Sequence, residues 1–227
     1  MIEFDAIIFD FDGVLIESEF EGNRHLAEML TELGHPTSVA EAVEHYTGLA
    51  GRDFIDTVER RIGRQLPSEF HQATRVLRDR SLEEGIAAVG GAIKFVRSLP
   101  ADLPKALASS SSTRWVRTHL DHLGLAEDFE PHVYSGAEHV ERGKPEPDLY
   151  LHAARQLGVA IERTVIIEDS KVGATGALAS GATVIGLAAG RHCFDGHADM
   201  LRSLGVQHVA QSFDEVARLL GLDQTSR

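Results

Sequence analysis

The sequence predicts an α/β fold: a doubly wound parallel sheet with a helical domain inserted into it. Three observations carry that expectation. From residue 91 onward, short β-branched runs alternate with helical patterns, as in βαβ units whose sheet is covered on both faces. The first and second of these runs are separated by about 90 residues, far more than the dozen or so that a crossover needs. That long interval is itself patterned as helix.

Element by element, the first apolar run is Ala6-Ile7-Ile8-Phe9, closed by Asp10-Phe11-Asp12-Gly13, and it reads as a buried strand. Helical patterns follow at 19–34, 38–46, 52–63 and 68–84, with breaks at Gly34-His35-Pro36, at 48–51 and at 63–67. Residues 16–86 are therefore read as the inserted helical domain, and residues 1–15 with 87–227 as the α/β domain. So long a single connection is otherwise rare. Residues 15–18 make the outgoing connection, and Gly85, Gly90 and Gly91 supply a flexible return or merely end helices. A helix at 91–99 precedes a strand at 104–108, four serines and a helix at 112–123. A strand at 132–135 leads to a helix at 147–157, whose start is set by Pro147. The last units are a strand at 164–167 ended by Glu168-Asp169-Ser170, a helix at 171–180 and a strand at 182–187. There is no internal repeat.

Composition narrows the function classes. With 43% hydrophobic and 25% charged residues, the 227-residue chain is ordinary globular material, not a collagen, a disordered tail or a disulfide scaffold. Its net charge of −13 excludes a general nucleic-acid groove. A small anion can still bind, but only at a local positive site or a metal. Cys193 is the only cysteine, which suits a reducing compartment. Met1-Ile2-Glu3-Phe4-Asp5 shows no leader pattern, and no run reaches the ~18 apolar residues of a membrane span. The expectation is a soluble, cytoplasmic protein without a membrane partner, its oligomeric state left open.

Several residues are of types that carry chemistry. Asp10 and Asp12, two apart on an extended chain, point to one side of the strand end where open α/β sheets bind ligands. They suit a hard cation such as Mg²⁺, or a division of labour in which one attacks an electrophile and the other moves protons. A solvated strand end fits them equally. Gly13 permits the sharp turn that follows. Glu168 and Asp169 end another strand in the same way, and acids brought together need a compensating cation. Asp169 or Ser170 also reads as a helix cap. Serines 109–112 make an anion cradle or an N-cap with spare hydroxyls. Lys144, in a loop stiffened by two prolines, is a point charge for a phosphate or an exposed loop lysine. Trp115 reads as packing a helix against the sheet. His192, Cys193, Asp195 and His197 lack a compact zinc spacing.

Taken in order, these motifs resemble the haloacid dehalogenase (HAD) superfamily over nearly the whole chain. They are Asp10-Phe11-Asp12-Gly13-Val14, then Ser109 after Ala106-Leu107-Ala108, then Gly143-Lys144-Pro145-Glu146-Pro147, then Glu168-Asp169-Ser170 with Gly173. The subgroup it resembles is the β-phosphoglucomutase-like branch, with a helical cap between the first and second motifs. The resemblance implies a HAD-like Rossmannoid core and a Mg²⁺-dependent phosphatase acting on a small phosphorylated metabolite, sugar phosphates included. It implies Asp10 as the nucleophile that becomes an aspartyl-phosphate, and Asp12 as the acid and base. It implies Mg²⁺ held by the Asp10 carboxylate, the Asp12 carbonyl and Asp169, with Glu168 behind them. Ser109, the Ser110 N–H and Lys144 would hold the phosphoryl oxygens, and Gly13 would lie against the substrate. Arg52, in the cap loop 48–53, would bind a distal anionic group, or it is an Arg at a helix start pointing into water. The dehalogenases that name the family lack the second acid, so Asp12 sets dehalogenation aside. The β-phosphoglucomutases carry a His ten residues beyond the general acid; here that position is Gly22, with His25 three residues on. The alternatives are a mutase of that type and a non-catalytic phosphate- or metal-binding regulatory protein.

Overall fold

Ala6–Phe9 forms strand β1, whose four side chains are all fully buried. A run of four apolar residues is buried on both pleats only in the middle of a covered sheet. The structure, a computed structural model, describes residues 2–47, 49 and 51–222. In it β1 lies third in a six-stranded parallel sheet ordered β3-β2-β1-β4-β5-β6. The other strands are β2 (Lys105–Ser109), β3 (Val133–Ser135), β4 (Thr164–Glu168), β5 (Thr183–Leu187) and β6 (His208–Ala210). Ile8 registers with Ala106 on one side and Ile166 on the other. The chain therefore leaves β1, β2 and β4 at the same edge, delivering Asp10, Ser109 and Glu168 side by side.

Helices α1 (Ser18–Glu32), α2 (Val39–Tyr46), α3 (Gly51–Ile62) and α4 (Ser68–Glu84) all lie between β1 and β2. The sheet is flanked by α5 (Ala92–Ser98), α6 (Thr113–Leu123), α7 (Ala126–Phe129), α8 (Asp148–Leu157), α9 (Lys171–Ser180), α10 (His197–Ser203) and α11 (Phe213–Leu220). Alternation along the strands divides the core in two. Phe9, Leu107 and Ile167 pack with Phe95 and Phe213 on one face, while Ile8, Ala106 and Ile166 pack with Leu149 and Ala177 on the other. The first four helices close over a third apolar cluster of their own, which includes Leu26, Leu30, Tyr46, Val58 and Phe70.

The doubly wound sheet is the one expected, with element ends shifted by a residue or two. Strand β6 and helices α7, α10 and α11 had not been read from the sequence. The connections differ in kind from a flexible return. Gly85 (φ +77°) ends α4 and Gly91 (φ +86°) starts α5, so both serve helix ends rather than slack. The two crossings pair with each other instead: the Glu17 N–H donates to the Ala87 carbonyl at 2.9 Å and the Val89 N–H to that of Leu15 at 3.0 Å, around an antiparallel bridge between Ile16 and Ala88. Gly48 and Ala50, in the loop expected to select substrate, lie outside the described residues, as do Met1 and 223–227. Among the described residues no helix is long and apolar enough to cross a membrane.

Candidate active site

Asp10 follows β1 directly and is buried. Its Oδ1 accepts a 2.6 Å bond from Lys144 Nζ, which also donates at 2.6 Å to Glu168 Oε1 at the end of β4. Lys144 is thus no exposed loop lysine; its side chain keeps 3% of its surface. Burial alone would lower its affinity for a proton, but the Asp10 and Glu168 charges outweigh burial and keep it an ammonium. Glu168 is fully committed. Oε1 also accepts from the Tyr150 hydroxyl, and Oε2 from the backbone N–H groups of Asp169 and Ser170 at 3.1 and 3.3 Å. Gly173 is obligatory beneath it, because a Cβ there would overlap the Glu168 carboxylate.

Asp169 has the opposite character. It is completely buried, and among the described residues neither carboxylate oxygen accepts a hydrogen bond. His192 Nε2 stands 2.8 Å from Oδ2, but burial holds this imidazole below its ordinary pKa, so it stays neutral and does not balance the charge. Burial first, and then the Glu168 charge, raise both Asp10 and Asp169 well above the usual carboxylate range. Carboxylate oxygens of Asp10, Glu168 and Asp169 lie within 4.8 Å of one another. An orphaned buried carboxylate beside two more acids is an oxygen-only donor set that fits a hard cation. Gly13 proves to belong to this arrangement: it holds φ +82°, and a Cβ on it would overlap the Asp169 carboxylate.

A second cluster, His192, Cys193 and His197, brings its ligand atoms within 4.8 Å of one another. His197 Nε2 lies 2.7 Å from the Asp169 carbonyl. A carbonyl only accepts, so that nitrogen carries a proton and offers no lone pair to a metal. The loop after β5 therefore holds Asp169 at its carbonyl through His197, and sets the neutral His192 ring beside its carboxylate without a hydrogen bond.

Asp12 faces a ring of donors. Ser18 Oγ (2.8 Å) and Trp115 Nε1 (3.0 Å) reach its Oδ1, and Ser109 Oγ (3.1 Å) and Ser111 Oγ (2.7 Å) reach its Oδ2. Trp115 does more than pack α6 against the sheet, since its indole N–H orients this carboxylate. Ser112 caps α6 by accepting from the Trp115 N–H, and Ser110 stands exposed beside it. Asp10, Asp12, Ser109, Ser110 and Lys144 share the wall of a cavity of about 520 Å³, whose far side is made by α1 and α4. Arg52 is not on that wall. Its side chain keeps 90% of its surface at the head of α3 and pairs with Asp56 at 3.6 Å. Glu19, which the sequence reading passed over, does line the cavity. Burial and the nearby Asp169 and Asp12 push its carboxyl up to about 8.

A family model for haloacid dehalogenase-like hydrolases matches residues 4–181. The chain belongs to that family. Within it, a HAD-family hydrolase from Deinococcus radiodurans, solved with bound phosphate and sodium, superposes with a TM-score of 0.83 at 33% identity over 98% of both chains. Hexitol phosphatase A of Escherichia coli is 31% identical, covering 79% of this chain and 81% of that one. The 6-phosphogluconate phosphatase of the same organism is 26% identical, covering 85% and 86%. HAD membership makes the chain a hydrolase and accounts for the order of motifs along it.

Proposed function

We propose that the protein hydrolyses small phosphomonoesters, sugar phosphates among them, through an aspartyl-phosphate on Asp10 with Mg²⁺ at the acidic pair. The observation that carries this reading is the pairing of buried Asp10, anchored by Lys144, with a buried Asp169 that has no donor among the described residues. The phosphatase relatives support the reaction class. Mg²⁺ would be held by Asp10, Asp169 and the Asp12 carbonyl, and it would draw charge from the phosphoryl oxygens. An Asp10 oxygen attacks phosphorus and the ester P–O bond breaks, while Asp12 gives its proton to the departing oxygen. Water then attacks phosphorus, Asp12 takes its proton, and the Asp10–phosphorus bond breaks to release phosphate. Lys144, Ser109 and the Ser110 N–H neutralise the equatorial oxygens throughout.

Residues 16–86 act in this reading as a cap domain over a core made of 1–15 and 87–227, and the single free thiol suits a cytoplasmic setting. Gly22 stands where the mutases carry a His, but His25 one turn on lines the same cavity, so free phosphate released with no isomer formed is what distinguishes hydrolysis from isomerisation. The test is phosphate release from a chromogenic ester and a panel of sugar phosphates, with Mg²⁺ and with chelator. Asp10→Asn should lose at least about 10³-fold in kcat while still melting cooperatively, because an amide is no anionic nucleophile. Near wild-type release by that variant, or undiminished release in chelator, refutes the reading.

A further inference from the structure

Resting on the phosphatase reading, we propose that Arg78 recognises a second anionic group on the substrate. The preferred phosphomonoesters then carry a carboxylate or a further phosphate at the end remote from the bond that breaks. Helix α4 turns one face to the cavity: Thr74, Leu77, Arg78 and Ser81, at the i, i+3, i+4, i+7 spacing of a helix stripe. Arg78 is exposed and forms no ion pair with any carboxylate among the described residues. The other fixed cation on the cavity wall, Lys144, is paired with Asp10 and Glu168 at the reaction centre. Among the described lining residues, Arg78 is therefore the one fixed positive charge without a carboxylate partner.

Its placement suits that task. The guanidinium carbon sits 5.6 Å from the centre of the Trp115 ring, and the same indole donates to Asp12. One ring thus separates Arg78 from the reaction centre, which is the reach of a chain of a few carbons. Stacking on the indole steadies the guanidinium fork, and a planar fork matches a carboxylate or phosphate with two parallel bonds. Across the cavity, Glu21 is paired with Arg24 and Arg191.

A purely structural cation, stacked to hold α4 against α6, has the same geometry; it differs in what responds to its removal. The experiment compares gluconate 6-phosphate, glucitol 6-phosphate and glucitol 1,6-bisphosphate as substrates for the wild type, Arg78→Gln and Arg78→Lys. The wild type should prefer the two esters with an extra anion. In Arg78→Gln the KM for the favoured ester should rise about 10- to 100-fold more than that for glucitol 6-phosphate, with kcat little changed. Arg78→Lys, which keeps the charge and loses the fork, should fall between. Whichever ester loses more, the carboxylate or the bisphosphate, identifies the group recognised. Equal losses on all three esters, or none, overturn the proposal and leave the phosphatase reading intact. If none of the three turns over, the chromogenic ester and the wider panel decide the phosphatase reading. Calorimetric titration of wild type and Arg78→Gln with the same three compounds then decides on Arg78, and equal affinities overturn its role.

Discussion

Asp10 and Asp169 pull against the rest of the fold at neutral pH, and that makes the cation measurable without any substrate. Both are raised well above their ordinary 3.8, by burial first and Glu168 second. A carboxyl that holds its proton more tightly when folded stabilises the fold below its unfolded pKa. That contribution is lost as pH rises through the folded pKa. The cation-free protein should therefore lose stability on this account as the pH climbs above about 4. A divalent cation binds the ionised pair, so the rise in Tm that Mg²⁺ produces should grow between about pH 5 and 8. Scanning calorimetry with Mg²⁺ or chelator checks this, and a flat or shrinking rise contradicts it. At this scale the sequence was partly legible. Asp10, Asp12, Lys144, Glu168 and Asp169 stand in short motifs, and their types announce their chemistry. Tyr150, His192, His197 and the Trp115 indole were not legible as site residues. Each acts across a contact between distant segments, and nothing beside it in the chain marks that contact.

Among the elements, α6 bears the most on the site. Ser112 caps it, Ser109 and Ser111 lead into it, and its first turn presents the Trp115 N–H to Asp12. Trp115→Phe keeps a ring in place and removes that donor. Bonds to charged groups contribute about 1.5–3 kcal/mol, so kcat should drop roughly tenfold or more while Tm moves by only a few degrees. Steady-state kinetics and a thermal melt check it, and an unchanged kcat would mean that the serines alone orient Asp12. The strands that deliver the site were legible because each is a short apolar run ended by polar residues. Strand β6 was not: His208-Val209-Ala210 is three residues at a sheet edge, too short to show a period. Helix α11 did carry a signal, since Ser212 and Glu215 stand at capping spacing before a stripe of Phe213, Val216 and Leu220.

In the molecule as a whole, stability should be unevenly spread. Strands β1 and β4 are fully buried between neighbours, whereas α1–α4 rest on a smaller cluster of their own. Leu30→Ala, at a fully buried position in that cluster, should cost about 2–5 kcal/mol locally. Hydrogen exchange should then quicken in α1–α4 and hardly change in β1 and β4. Equal acceleration in both would show that helices and sheet open as one unit. The long connection made the inserted helices legible, but a bridge of one residue leaves no pattern, so their attachment was not. That attachment has a mechanical consequence. A lone linker would let the helices swivel freely on the sheet. Two crossings hydrogen-bonded to each other behave like paired pins on a door: twist and shear strain the bonds between Leu15, Glu17, Ala87 and Val89, and bending remains as the soft mode. The helices are thus left one principal degree of freedom, and its axis runs four residues from Asp12, so that a small swing at the hinge becomes a large displacement at the far rim and almost none at the acid.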